Sequence, residues 1–439
     1  MKFKGLSLIL VLVLLMGLLA ACGGNEANAP ADNTNTSENT ETDDTAVEAT
    51  DKTFTIGVLG PFTGPSARTG DEFKISAEMA LEAIDYTIGD YTLEVVWIDS
   101  QSDPEKATRA YEEAIVEGGV QAGVLNWHSS VSVAVMEVTA KHKVPHFFGF
   151  GATEVVNEKF ESDAKYTYWT SKGWPTPVKL SVNYVTTVND AIDAGLWAPE
   201  SKTAAIYGED TDWGRSFGNG LKEQLEATGW EIVDEQYFPI EQTEFYSLLN
   251  KFKDEGVALI AGTSTAAPSL TAFIKQADEV GLESLIIADG LGWVGEWYEM
   301  TGSSSNYVID QIPGWATEAG KQFALEFEEK SGLTPSPSSG GLSFDGMNFF
   351  LAVLQQTYAD KGELSSAAVF ETVQEKVWTG EMTFTAEDGA IVMNEYNFSS
   401  PPDPLIGGDY YTFPVLQYMD GEGLVIWPES IATNELMVP

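Results

Sequence analysis

The chain has 439 residues and sets 67 acidic side chains against 23 basic ones, a net charge of −44 at pH 7. A surface this negative repels phosphate, which excludes a nucleic-acid partner. Cys22 is the only cysteine, which excludes an intramolecular disulfide. The same excess favours solubility but loads the fold with self-repulsion. It points to a saline or alkaline habitat, or only to an exported protein with an acidic surface.

At the N-terminus, Lys2 and Lys4 precede an apolar run over 6–20 and then "LAAC", 19–22. A basic start, a short apolar core and small residues before a cut site describe an export signal. The run is short for a bilayer span, which needs about 20 residues. "LAAC" resembles the bacterial lipobox, which implies lipidation of Cys22 after removal of residues 1–21; an uncleaved anchor with an incidental cysteine is the alternative. Residues 22–52 hold almost no large apolar side chain and cannot bury enough surface to offset their ordering entropy. They are expected to form a disordered acidic linker. What remains is too long for one ordinary core and suits two lobes.

From residue 53 the chain alternates in one rhythm. "TFTIGVLG" (53–60) reads as a strand, and "KISAEMALEAI" (74–84) as a helix by its apolar spacing. "YTLEVVWIDS" (91–100) is the next strand; Asp103-Pro104 then reads as an N-cap with proline at the first helical position. Strands at 120–126 and 144–150 flank a helix over 132–143. The rhythm restarts with strands at 203–208, 231–239, 257–262 and 284–289, interleaved with helices, and further helices follow after 321 and 345 and from 366. "GEMTFTAEDGAIV" (380–392) reads as a hairpin turning at Asp388-Gly389. Such alternation predicts α/β lobes, each a doubly wound parallel sheet with helices on both faces.

Loops at the carboxyl ends of strands build the crevice of such sheets. Here they read "GPFTGPSARTG", "NWHSSVS", "GFGATE", "GEDTDWGRS", "GTSTAAPS" and "DGLGWVGE". Hydroxyls, glycines and tryptophans with few charges suit a neutral or zwitterionic small molecule. Three patterns suggest other chemistry. Gly214 to Gly218 matches G-x-S-x-G, but a nucleophile elbow needs a later histidine, and His128, His142 and His146 all precede Ser216; Ser216 and Gly218 read better as a helix start. Gly290 to Gly295 matches G-x-G-x-x-G with Asp310 downstream, yet the helix that follows is short and Trp293 would crowd a pyrophosphate. His142 and His146 have metal-ligand spacing, but Pro145 interrupts the helix and no third ligand lies near. Ser129 and Ser130 beside His128 could cap a helix, or could hold an anionic ligand group at its N-terminus. His128 has no defensible role.

Taken in order, "TIGVLGPFTGPSARTG", "DSQSDPEKATRAYEEAIVEGGVQAGVLNWHSS", "VPHFFGFGATE", "YGEDTDWGRSFGNGLKEQLEATG" and "FIKQADEVGL" follow the landmarks of a known group. From about Thr53 to Phe350, and more loosely to the end, the chain resembles the branched-chain amino acid binding proteins of ABC importers, the type I periplasmic binding proteins. The resemblance implies two lobes, 53–170 plus 315–400 and 171–314 plus 405–439, joined by three crossovers and closing on a ligand without catalysis or cofactor. It implies as partners a small molecule, permease subunits and, through Cys22, the membrane, with the chain a monomer. By position the ligand carboxylate falls to Ser129, Ser130, Gly151 and Thr153, an aromatic lid to Trp213 and a pocket position to Thr69. The acidic partner of an α-ammonium falls on Gly290, one residue after Asp289, and a second tyrosine contact falls on Ala266, which cannot donate. The carboxylate end is kept and the ammonium end departs. The ligand is then an amino acid, branched-chain or aromatic, using Asp289; or an aromatic or short-chain acid; or an amide or urea. Trp127, Trp213 and Trp293 favour an apolar or planar group unless they serve only the core. A transport receptor and a sensory ligand-binding protein both fit.

Overall fold

The computed structural model describes residues 52–315 and 317–439; the export signal, Cys22 and the acidic linker up to residue 51 lie outside them. The first sheet is built on β1 (Lys52–Gly60), whose residues from Phe54 onward are buried, as expected for a central strand covered on both faces. Its order is β2 (Thr87–Ile88), β3 (Tyr91–Asp99), β1, β4 (Ala122–Val124), β5 (His146–Phe147). β3, β1, β4 and β5 run parallel, and β2 folds back antiparallel on β3. The linking helices are α1 (Ala67–Glu82), α2 (Pro104–Val116), α3 (Ser129–His142) and α4 (Glu154–Ser162). At α2 the Asp103 carboxylate accepts from the amides of Glu105 and Lys106, both at 2.9 Å, with Pro104 opening the helix.

A second sheet holds β6 (Thr203–Glu209), β7 (Glu231–Phe238), β8 (Leu259–Thr263), β9 (Leu285–Asp289) and β10 (Ile309–Gln311) in parallel. α5 (Pro177–Asp193) leads into it, and α6 (Asp212–Ala227) connects β6 to β7. The first lobe also takes the helix Leu342–Lys361, packed on α1, and a small ribbon of β11 (Phe384–Thr385) and β12 (Glu395–Tyr396). The chain then returns to the second sheet, adding β13 (Val415–Met419) antiparallel to β10 and β14 (Glu422–Trp427) at the edge.

Three details differ from the sequence reading. Both sheets are mixed, because a short hairpin in one and the C-terminal strands in the other add antiparallel edges. The turn at Asp388-Gly389 exists, with the Asp388 carboxylate accepting from the Thr385 amide and hydroxyl. The strand pairing lies further out, Phe384 opposite Tyr396, so the segment is a wide loop and not a tight hairpin. Ser216 and Gly218 do not open α6, which begins at Asp212 behind the Thr211 cap.

The crossing segments are fastened together by a buried charge pair. Lys172 is fully buried, and its ammonium lies 2.5 Å from Asp403, which Lys179 also reaches at 3.1 Å. Lys172 donates besides to the Asn157 side chain and, at 3.4 Å, to the carbonyl of Ala152, while its backbone amide donates to the Pro402 carbonyl. Burial pulls the Lys172 ammonium down, opposed by Asp403; Asp403 is held below the usual carboxylate range by the two lysines despite its own burial.

Candidate functional site

The carboxyl end of β4 runs through Leu125, Asn126, Trp127 and His128 into α3. Asn126 folds this turn by donating to the His128 carbonyl at 3.1 Å and to the Ser132 hydroxyl at 2.6 Å. The next strand end supplies residues 148–153, whose Ala152 and Thr153 amides both donate to the Ser129 hydroxyl oxygen, at 3.1 and 3.2 Å. Those two bonds occupy the oxygen's acceptor capacity, so the Ser129 proton is left to donate. Gly151 closes the arrangement: a Cβ there would sit 2.2 Å from the Ser132 hydroxyl and 2.5 Å from the His128 carbonyl. The Thr153 hydroxyl is buried without a partner among the described residues. Ser130 points elsewhere, accepting from the Asp212 amide at the start of α6 in the opposite lobe.

Between the lobes lies a cavity of about 20 Å³, walled by four indoles, Trp127, Trp174, Trp213 and Trp293, with Phe150. Its polar lining is Ser129 and Thr265. Trp293 is the hub. Its ring centroid is 5.1 Å from that of Trp127 at 89°, 5.7 Å from Trp174 at 85° and 6.0 Å from Trp213 at 58°. Edge-to-face contacts of this kind are the preferred geometry for neighbouring aromatic rings.

The loop that carries Trp293 is the G-x-G-x-x-G segment, and Asp310 does meet it. Asp310 accepts from the amides of Gly290 (3.0 Å), Gly292 (2.8 Å) and Gln311 (2.8 Å) and from the Tyr418 hydroxyl (2.8 Å). Gly290 has φ of 108°, a conformation costly for any other residue. The outline of a dinucleotide fingerprint is thus spent on folding one tryptophan-bearing loop.

Asp289 and Thr69, both expected at the ligand, lie outside the lining of this cavity. Asp289 does not line the cavity: it is fully buried beneath it, accepting from Tyr184 at 2.8 Å and facing Thr263, whose hydroxyl receives the Trp213 indole N–H at 3.0 Å. Burial pushes Asp289 and Asp310 up, and for Asp289 the Asp310 charge adds to it. Thr69 is buried in α1 away from the cavity lining, because the first turn of α1 turns it inward. Trp174 and Phe150 were missed. Trp174 lies in a crossing segment with no periodic signal, and Phe150 reads as the tail of a strand. No group of three or more His, Cys, Asp or Glu side chains among the described residues is placed to hold a metal ion; His142 ends α3 and His146 starts β5, stacked 4.1 Å from Trp169.

Residues 53–399 match the family described as periplasmic binding protein. The chain belongs to the periplasmic binding protein family. A Leu/Ile/Val-binding protein homolog from Brucella melitensis is 24% identical over 358 residues, covering 78% of this chain and 86% of the relative. Two solved structures share the fold. A putative branched-chain amino acid ABC transporter protein from Silicibacter pomeroyi has a TM-score of 0.67 at 18% identity, covering 88% of this chain and 99% of its own. A solute-binding protein of an ABC transporter from Rhodopseudomonas palustris, solved with 3,4-dihydroxybenzoic acid, has a TM-score of 0.68 at 18% identity, covering 84% and 95%. No helix among the described residues is long and apolar enough to cross a membrane.

In this periplasmic binding protein the lobes are in contact across the cavity. The Thr265 carbonyl of the second lobe receives the Ser66 hydroxyl at 2.9 Å and the Trp127 indole N–H at 3.4 Å. Ser66 is also 3.0 Å from His128 Nε2. Because Ser66 spends its only proton on Thr265, it accepts from His128, which fixes the tautomer with hydrogen on Nε2. Burial holds His128 down at about 3, so the ring is neutral, and it acquires the role the sequence did not suggest. At the rim Arg68 pairs with Glu296 of the other lobe at 2.6 Å, and Ser336 and Ser339 donate to the carbonyls of Gly292 and Trp293.

Glu72, fully buried under Arg68 (3.1 Å), accepts from the amides of Ser336 and Gly340 at 2.9 and 2.7 Å. Burial pushes its carboxyl up to about 8, against the pull of Arg68 and of the two amides. The folded state therefore holds this proton more tightly than the unfolded chain. The stability so gained is fully present below about pH 4.5 and is lost as pH rises through about 8. Urea midpoints measured from pH 4 to 9 are expected to fall, and Glu72→Gln to flatten the decline by up to about 1.4 kcal/mol per pH unit. An unchanged slope in the variant would show that Glu72 is already ionised in the fold.

Proposed function

We infer that the chain is the extracytoplasmic solute-binding protein of an ABC importer, anchored to the membrane through Cys22, acting as a monomer and delivering its ligand to permease subunits without chemical turnover. Its ligand is a small carboxylate captured between lobes spanning 53–170 plus 315–400 and 171–314 plus 405–439. The observation that carries this reading is Ser129. Two amides hold its oxygen as acceptor, so its proton is a fixed donor facing the cavity, beside an unpartnered Thr153 hydroxyl. A carboxylate supplies the missing acceptor, and charge-assisted bonds of this kind are stronger than neutral ones. Gly151 shapes the loop that delivers the amides, and Ser130 serves the seam between lobes. Trp127, Trp213 and Trp293 wall the rest.

The relatives support a carboxylate from two directions: one is a homolog of a Leu/Ile/Val-binding protein and another was solved with an aromatic acid. A thermal-shift screen of the purified protein against amino acids, aromatic and short-chain acids, and amides tests the reading. At a hundredfold excess over Kd a ligand adds about 2.7 kcal/mol. A carboxylate is expected to raise the midpoint, and Ser129→Ala to weaken it at least about tenfold, the loss of one charge-assisted hydrogen bond. If amides alone raised the midpoint, the carboxylate assignment would be wrong.

A further inference from the structure

The cavity is unusual in what its walls can and cannot offer. The Trp174 and Trp293 indole N–H groups and the neighbouring Thr153 hydroxyl are buried without a partner among the described residues, and the Ser129 hydroxyl, which receives two amides, keeps a proton to donate. Free acceptors are scarce. The Ser129 oxygen already receives two amides, and the Thr265 carbonyl already receives Ser66 and Trp127. Among the described residues no Asp, Glu, Lys or Arg side chain lines the space. A primary ammonium brings three N–H donors that each want an acceptor, and here they would be stranded.

Aromatic faces hold a cation without accepting hydrogen bonds, and tryptophan does so best. Four indoles surround the cavity, two of them nearly perpendicular to Trp293. Orthogonal faces, once parted, suit a compact, rounded head; a flat ring is better gripped between parallel slabs. The space measures only about 20 Å³, so any head that enters must part these walls. One layer behind the wall, Glu209 is fully buried and receives the Thr265 amide at 2.6 Å and the hydroxyls of Thr265 and Thr211, both at 2.7 Å. The chain's net charge of −44 also draws cations toward it.

We propose that this cleft selects a quaternary-ammonium carboxylate, a fully N-methylated zwitterion of betaine type, with its carboxylate on Ser129 and its cationic head among the four tryptophans. The assignment rests on the reading of the cleft as a carboxylate-capturing site. A fully methylated nitrogen carries positive charge and no N–H, so it strands nothing, and the donor-rich end meets the carboxylate.

Isothermal titration of the purified protein tests it with a set of probes: N,N,N-trimethylglycine, glycine, 3,3-dimethylbutyrate (the same shape without the charge), choline, leucine and benzoate. The expected order places trimethylglycine at least about tenfold above both 3,3-dimethylbutyrate and choline, with no binding of glycine. Trp213→Phe and Trp293→Phe keep a ring in place and are expected each to lower trimethylglycine affinity several-fold, leaving any weak binding of the uncharged isostere nearly unchanged. Equal affinity for the isostere, or unaltered affinity in both variants, overturns the cation site. Binding of leucine or benzoate without trimethylglycine overturns it too, while leaving the carboxylate-capture reading standing. Silence from every carboxylate overturns both.

Discussion

Asp403→Asn is expected to lower the unfolding free energy by about 3–5 kcal/mol, because it leaves the fully buried Lys172 ammonium without its anion. The Coulomb partner is lost and the desolvation of Lys172 remains. The Asn157 oxygen and the Ala152 carbonyl still receive the ammonium, but dipoles repay less than a carboxylate. Urea denaturation at pH 7 measures the effect. The double variant with Lys172→Met is expected to recover most of the loss, since a buried pair exchanged for an apolar residue is often neutral. If the double variant were as weak as Asp403→Asn alone, the penalty would come from lost packing and not from a stranded charge. Ligand affinity is expected to fall as well, because Lys172 ties the crossing segments to Ala152, whose amide holds Ser129.

Asp310→Ala should be nearly as costly, about 3–5 kcal/mol. It withdraws one acceptor from three amides and the Tyr418 hydroxyl, each a buried donor costing about 1–3 kcal/mol if left bare, with partial relief by water. Its second effect is on binding, since the Gly290–Gly295 segment loses the anchor that sets Trp293 over the cavity. Asp289→Asn is the control. Asp289 hydrogen-bonds with Tyr184 and Thr263, and because burial and Asp310 already favour its uncharged form, a neutral amide is a mild replacement. It is expected to change ligand affinity little. A large drop in affinity with Asp289→Asn would restore Asp289 as a direct ligand contact.

These two aspartates show where the sequence was readable and where it stopped. The alternation of β-branched runs with 3.6-residue periodicity placed β1, β3, β6, β8, β9 and their helices, because local pattern decides those elements. It also placed the crevice loops, since they follow strand ends. Within that crevice, counting residues could not tell an acid that faces the cavity from one that braces its floor. Asp289 ends β9 and Asp310 lies within β10, and only the packing of Tyr184 and Tyr418 separates their roles. The glycine pattern at 290–295 was legible as a special loop, but its purpose depended on Asp310 approaching from the next strand. Lys172 and Asp403 lie far apart in the chain and have no local signature at all. Trp174 was silent for the same reason: a crossing segment has no period, so its one large side chain looks like any other.

Trp293 belongs to one lobe by covalent connection, yet its carbonyl and that of Gly292 are gripped by Ser339 and Ser336 of the other. The fourth wall of the cavity is therefore complete only while the lobes touch. A molecule arriving at an open cleft meets the first lobe's half alone: Ser129, Trp127 and Phe150. If the ligand is the proposed carboxylate, it is weighed at its acidic end before its other end is gripped. Departure would reverse this order, and would break these serine bonds together with the Ser66–Thr265, Ser130–Asp212 and Arg68–Glu296 contacts. On that reading, the end that tells one solute from another is the second to be gripped.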